Sequence, residues 1–300
     1  MSAKPLGPIL CATFTSPDPA ASARDYVTHL DQTVVEHGPL PADLAASWGA
    51  PAAAGRPSVL LRPPSAEPGW FRVVQGAAAP PPFAAFGWLA MEILVKSTDA
   101  VSTRLRGTPF SEIEPPHDLG VVKGVRAMQV VGRAGEVLYL TERDEISRFR
   151  YRFAMGEVDR IFIMVLGAQD YDASRAFYEK HFHVPIGITT ESAQTYKLTA
   201  MGLPLGRKYR LLTFVLAGGQ EVAGKIQHDD HPAEARRNDK PADDLPPGIA
   251  LVTFEVPSLD GIALPFIAPP RIIDAPPYDG RRVATCIGPS GELIELAARG

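Results

Sequence analysis

Cysteine is almost missing from this 300-residue chain, with Cys11 and Cys286 its only two. Two cysteines cannot build a disulfide framework or a cysteine-based zinc finger. Long apolar runs are missing as well. No stretch approaches the ~18 residues of a membrane-spanning helix, and the opening MSAKPLGPILCATF lacks the long apolar core of a secretion signal. A reducing, cytoplasmic setting is therefore expected. There is no basic excess either: 30 Lys+Arg stand against 34 Asp+Glu, a net charge of −4. With no surplus of cations to neutralise phosphates, nucleic acid is not an expected partner. No G-x-S-x-G elbow is present, and Gly202-Leu-Pro-Leu-Gly206 lacks the spacing and the following Lys-Ser/Thr of a phosphate loop.

What the chain does have is apolar content and turn residues. At 45% hydrophobic and 21% charged it can bury a sizeable core. Thirty prolines and 26 glycines suit a β-rich fold better than a helix bundle. Its length is about twice the ~150 residues of one domain.

The doubling is visible in the residues. Asp18 to Tyr26 aligns without gaps on Asp170 to Tyr178, matching the Asp, Ala21/Ala173, Ser22/Ser174 and the Tyr. Gly124 to Leu140 aligns on Gly280 to Leu296, with Arg126/Arg282, Gly132/Gly288, Gly135/Gly291 and Glu136/Glu292 identical. Val95 to Asp99 aligns more weakly on Val256 to Asp260. The offsets are 152, 156 and 161, so the register drifts slowly and in one order. Each copy reads as a strand (Ile9 to Thr15; Ile161 to Leu166), an Asp N-cap, a helix to about His37 or His183, and several further strands. Among those strands are 58–61, 70–74, 88–95, 211–216, 222–227 and 249–256, with short helices expected near 100–106 and Leu259. A hairpin closes each copy at Gly132-Arg-Ala-Gly135 and Gly288-Pro-Ser-Gly291. The first module is assigned to residues 1–142, the second to 157–300, with 143–156 as linker and 227–247 as a polar, solvated loop.

These residues, the strand–Asp–helix–Tyr openings and the closing Gly-Pro-Ser-Gly-Glu-Leu-Ile-Glu-Leu296, resemble the vicinal oxygen chelate superfamily of glyoxalases, bleomycin-resistance proteins and extradiol dioxygenases. The resemblance covers nearly the whole chain. It implies an α+β fold of two tandem βαβββ modules pairing into a half-barrel around a central cavity. It also implies a site on the first and last strand of each module. In metal-using members those positions carry His, Gln or Glu around a divalent ion. Here the last strands supply Glu295 and, by the repeat, Tyr139, while the first strands offer Ile163 (or Val158-Asp-Arg160) and Cys11 with Thr13 nearby. One good ligand remains, so no cofactor is expected; a retained divalent ion would fall to Glu295 and Cys11.

Glu295 and Tyr139 are accordingly the candidate catalytic pair, Glu295 moving a proton and Tyr139 orienting or protonating an oxyanion. Arg160, Trp88, Phe162, Met164 and His117 are candidate substrate contacts. Glu295 also reads as an outward-facing, solvated residue, Arg160 as an edge charge, the aromatic and Met positions as core, and His117 as a turn residue. Three functions stay open. One is metal-independent isomerase- or lyase-type proton transfer on a small apolar or aromatic metabolite. A second is non-catalytic binding of the drug-resistance kind, and a third is metal-dependent glyoxalase- or dioxygenase-like chemistry with altered ligands. The expected partner is a small molecule, and the chain is expected to act as a monomer or homodimer, away from membranes.

Overall fold

The two aspartates that open the repeat cap two helices in the same way. Asp18 Oδ1 accepts from Ala21 N and Asp170 Oδ1 from Ala173 N, each at 2.9 Å. These helices are α1 (Pro19–His29) and α4 (Tyr171–Phe182). They belong to a computed structural model that describes residues 6–120, 122–144, 154–218 and 224–299. α1 ends earlier than the periodicity suggests. Asp31 turns the chain with φ 57°, and the β-branched Thr33-Val34-Val35 then enters a strand rather than continuing the helix.

The βαβββ pattern occurs twice in the first half and once in the second, whose last unit has turns in place of the helix. The first half holds β1 (Ile9–Ser16), α1, β2 (Thr33–Pro39), α2 (Ala42–Ser47), β3 (Pro57–Arg62) and β4 (Trp70–Gln75). Next come β5 (Gly87–Val95), α3 (Thr98–Leu105), β6 (Ser111–Asp118), β7 (Val125–Val131) and β8 (Val137–Arg143). The second half repeats this with β9 (Val158–Ala168), α4, β10 (Ile186–Ser192), α5 (Thr195–Ala200), β11 (Tyr209–Val215) and β12 (Lys225–Asp230). It closes with β13 (Ile249–Val256), β14 (Arg271–Ile273), β15 (Arg281–Ile287) and β16 (Leu293–Ala298). The helix expected near Leu259 does not form: residues 257–270 hold Pro257, Gly261, Pro265, Pro269 and Pro270 and run through turns.

Two eight-stranded sheets result, and each draws one unit from each half. The first runs β14-β15-β16-β13-β1-β4-β3-β2; the second runs β10-β11-β12-β9-β5-β8-β7-β6. The halves join through antiparallel central pairs, β1 with β13 and β5 with β9. There are thus two half-barrels, each with its own concave face, where one central cavity was expected. Strand alternation separates the faces. Ile294 and Leu296 pack with Phe14, Met91 and Met164 in the main core, while Leu293 and Ala297 line the first concave face.

The repeated residues have structural duties. Arg126 pairs with Asp99 at 2.6 Å and Arg282 with Asp260 at 3.1 Å. Gly135 and Gly291 take φ of 86° and 87° in the closing hairpins. A methyl group at Gly132 or Gly288 would overlap the folded-back carboxylate of Glu136 or Glu292. The polar loop expected from 227 begins later. His228 and Asp229 lie buried within β12, opposite Leu166 and Gly167 of β9. Parallel pairing to a core strand overrides their polar character. Among the described residues no helix is long and apolar enough to cross a membrane.

Candidate active site

The central pair of each sheet and the strands beside it bring inward positions together on each concave face. On the first sheet these are Cys11, Arg72, Thr253 and Glu295, and the face is filled. Glu295 is fully buried and accepts three hydrogen bonds of 2.7 Å, from Trp48 Nε1, Thr253 Oγ1 and Tyr278 OH. Trp48 follows directly on α2, and both its indole and the Tyr278 ring are wholly enclosed. Burial raises the Glu295 carboxyl, while the nearby Arg72 guanidinium and the three donors pull it back. Arg72 is itself buried and donates to Pro276 O at 2.7 Å.

This donor set does not fit a divalent ion. The Arg72 guanidinium lies near enough to Glu295 to lower its carboxyl, so this face already holds a positive charge. Burial also pushes the Cys11 thiol up to about 12, which adds a cost to forming a ligating thiolate there. The expected pair of Glu295 and Cys11 shares a face but not a metal-binding chemistry.

The second sheet keeps open space, a cavity of about 340 Å³, within the range of small-molecule sites. Its inward positions are Glu92 on β5, Tyr139 and Thr141 on β8, Ile163 on β9, and Lys225 and Gln227 on β12. Glu92 lies opposite Tyr139 on one side and Ile163 on the other. Its carboxylate is buried and accepts from Thr141 Oγ1 at 2.7 Å. Desolvation pushes it up to about 7, against the opposing pulls of the Thr141 bond and Lys225. Tyr139 OH donates to Tyr196 OH of α5 at 3.1 Å, and burial raises both phenols, keeping them protonated. Beneath them Lys197 of α5 forms a fully buried ion pair with Asp229, which also accepts from Gln227 Nε2 at 3.1 Å. The amide oxygen of Gln129 on β7 is buried with no hydrogen-bond partner among the described residues. Leu94, Ala127, Phe162, Ile188 and Leu211 supply apolar wall. Glu92 is the one carboxylate among these inward positions, beside an ammonium and amides, and Glu114, His117 and Asp118 line the cavity from β6, so this set is not a divalent-ion site either. No group of three or more His, Cys, Asp or Glu side chains suited to a metal occurs among the described residues.

The expected residues therefore divide. Tyr139, Phe162 and His117 line the open cavity, His117 at its rim with Nδ1 2.9 Å from Pro115 O. Glu295 does not meet Tyr139 across a substrate. Because they are repeat partners, they take equivalent places on separate sheets. Arg160 is buried on β9, away from the cavity lining, where its neighbours in the strand are all buried. Trp88 donates to Leu293 O at 2.9 Å and packs on Phe254, and Met164 sits in the main core. Glu92, Lys225, Gln129 and Tyr196 were missed. A lone acid in the otherwise uncharged Gly87–Val95 strand was the available signal for Glu92. Counting back from the Val95/Val256 match sets it on Thr253, neighbour of Glu295.

The repeat also accounts for the different fillings. Pro276-Pro277-Tyr278 is the counterpart of Pro115-Pro116-His117. Tyr278 reaches Glu295 and, with Trp48, closes the first face; the smaller His117 stays at the rim of the second.

Comparison with solved structures agrees with this architecture. A variant of glyoxalase I from Zea mays superposes with a TM-score of 0.66 at 11% identity, over 99% of this chain and 94% of that one. A dioxygenase candidate from Bacillus subtilis superposes with a TM-score of 0.63 at 14% identity, over 99% of this chain and 86% of that one. In sequence no family model matches, and no curated protein does. The chain thus has the fold of the vicinal oxygen chelate superfamily, and the identities support nothing finer than the fold.

Proposed function

We propose that the cavity of the second sheet binds a small carbonyl compound with an apolar or aromatic tail, and that Glu92 moves a proton at the carbon next to the carbonyl. The observation that carries this reading is Glu92 itself: a buried carboxylate at the cavity wall, oriented by Thr141 and raised to about 7. A carboxylate so placed exchanges protons near neutral pH. Lys225 faces the same space and offsets negative charge on an enolate oxygen. The unpartnered Gln129 amide oxygen suits a hydroxyl or enol donor, and the apolar wall suits the tail. No step passes through a metal. The proton-transfer chemistry expected from the sequence is kept, and its base moves from Glu295 to Glu92.

The test uses phenylpyruvate in D2O, with loss of its carbon-bound protons followed by 1H NMR. The wild-type chain should exchange them well above the buffer rate. Glu92→Gln should lose at least about 100-fold of that rate, the scale of general-base catalysis, while still binding the probe. Binding without exchange by the wild type would favour a sequestering protein. No binding at all would remove the reading.

A further inference from the structure

We infer that Lys225 is a covalent residue of this site, its Nζ condensing with an aldehyde or ketone carbonyl to form an iminium. The inference rests on the cavity binding a carbonyl compound, as proposed above, but not on Glu92 abstracting a carbon-bound proton.

The placement comes from strand alternation. β12 pairs in parallel with β9, Lys225 opposite Ile163 and Ile226 opposite Met164. Ile226 enters the main core, so Lys225 and Gln227 face the cavity. The chain has eight lysines; among the described residues only Lys197 and Lys225 are buried. Of the two, Lys225 is the one that lines the open space beside Glu92, with apolar wall around it. Burial pushes the Lys225 ammonium down to about 8, against the opposing pull of Glu92, so neutral amine is available at physiological pH.

Glu92 supplies the proton bookkeeping. The Nζ lone pair adds to the carbonyl carbon, and the carbonyl oxygen takes a proton from the Glu92 carboxyl. Glu92 then accepts a proton from the nitrogen and returns it to the new hydroxyl, which leaves as water. The products are a C=N bond carrying N–H⁺, one water and the Glu92 carboxylate. No oxidant or reductant is required. The iminium then draws electrons from the neighbouring C–H bond, whose proton lies within the remit of the regenerated carboxylate.

The test is reductive trapping. The full chain is incubated with phenylpyruvate and sodium cyanoborohydride, and intact mass and peptide mapping follow the adduct. One adduct per chain is expected, on Lys225, saturable in probe, and roughly tenfold or more above that on any surface lysine, because a depressed pKa enriches the free amine. Lys225→Arg should remove it. Unsaturable labelling spread over Lys96, Lys180 and Lys208 would overturn the inference, as would an undiminished adduct in Lys225→Arg. The wild-type peptide map decides the matter even if that variant fails to fold. Deuterium exchange with no adduct overturns this inference alone. An adduct without exchange supports it and removes only the proton-transfer reading.

Discussion

Tyr26 of α1 donates its phenolic proton to Glu136 Oε1 at 3.1 Å, tying a helix that packs on the first sheet to the closing hairpin of the second. The second half repeats the bond with the sheets exchanged, Tyr178 to Glu292 at 3.1 Å. Two symmetric latches therefore hold the half-barrels together. They explain why Tyr, Glu and the hairpin glycines are the residues that the two halves share.

Both latch glutamates are raised by burial to about 7 from a usual 4.5. For an acid whose folded value is raised, the stability contribution is complete below about 4.5 and is lost as pH rises through about 7, on the order of 1 kcal/mol per pKa unit. Melting temperature should fall across that window. In Glu136→Gln, which has no proton to lose, the fall should be shallower. Parallel slopes for the two proteins in a pH series of thermal melts would contradict this.

Glu295 is enclosed by Trp48, Thr253 and Tyr278, and belongs to a plug rather than a site. Glu295→Gln should leave phenylpyruvate binding and exchange within about twofold of wild type while costing about 1–3 kcal/mol of stability. Trp48→Ala, which empties the largest enclosed side chain, should cost about 3–5 kcal/mol. Denaturant titration measures both. Loss of activity in Glu295→Gln would return the catalytic role to the first sheet.

The Lys197–Asp229 pair lies wholly out of solvent under the cavity. Removing one partner strands a buried charge. Lys197→Met and Asp229→Asn should each lose about 3–5 kcal/mol, and the double variant should recover part of the loss. A double-mutant cycle with additive losses would refute the coupling.

Residues 1–144 expressed alone should not give a folded monomer. Without the second half, β1 and β5 lose their antiparallel partners β13 and β9 and become open edges. Sedimentation combined with circular dichroism should show an unfolded chain or a self-paired dimer. A folded monomer would show that the halves are independent.

Much of the fold is legible in the residues because local chemistry writes it. Asp18 and Asp170 mark helix starts, Gly132 and Gly288 mark hairpins, and Ile294-Glu295-Leu296 marks a strand with two different faces. The site was less legible. A repeat aligns Tyr139 with Glu295 but cannot say whether partners share a cavity, and here symmetry sets them apart. Glu92 and Lys225 lie 133 positions apart in sequence and meet only through the pairing of β5 with β9 and of β9 with β12.

By itself the sequence determined a doubled α+β chain with its turns and caps in place, and with one good metal ligand at the positions the resemblance implies. Those features depend on a few adjacent residues and their backbone preferences. Only the tertiary structure decided that each half divides its strands between two sheets, and which concave face stays open. That outcome rests on long-range strand pairing and on side-chain volume. Trp48 and Tyr278 fill one hollow around Glu295, whereas the space above Glu92 and Lys225 keeps about 340 Å³ for a ligand.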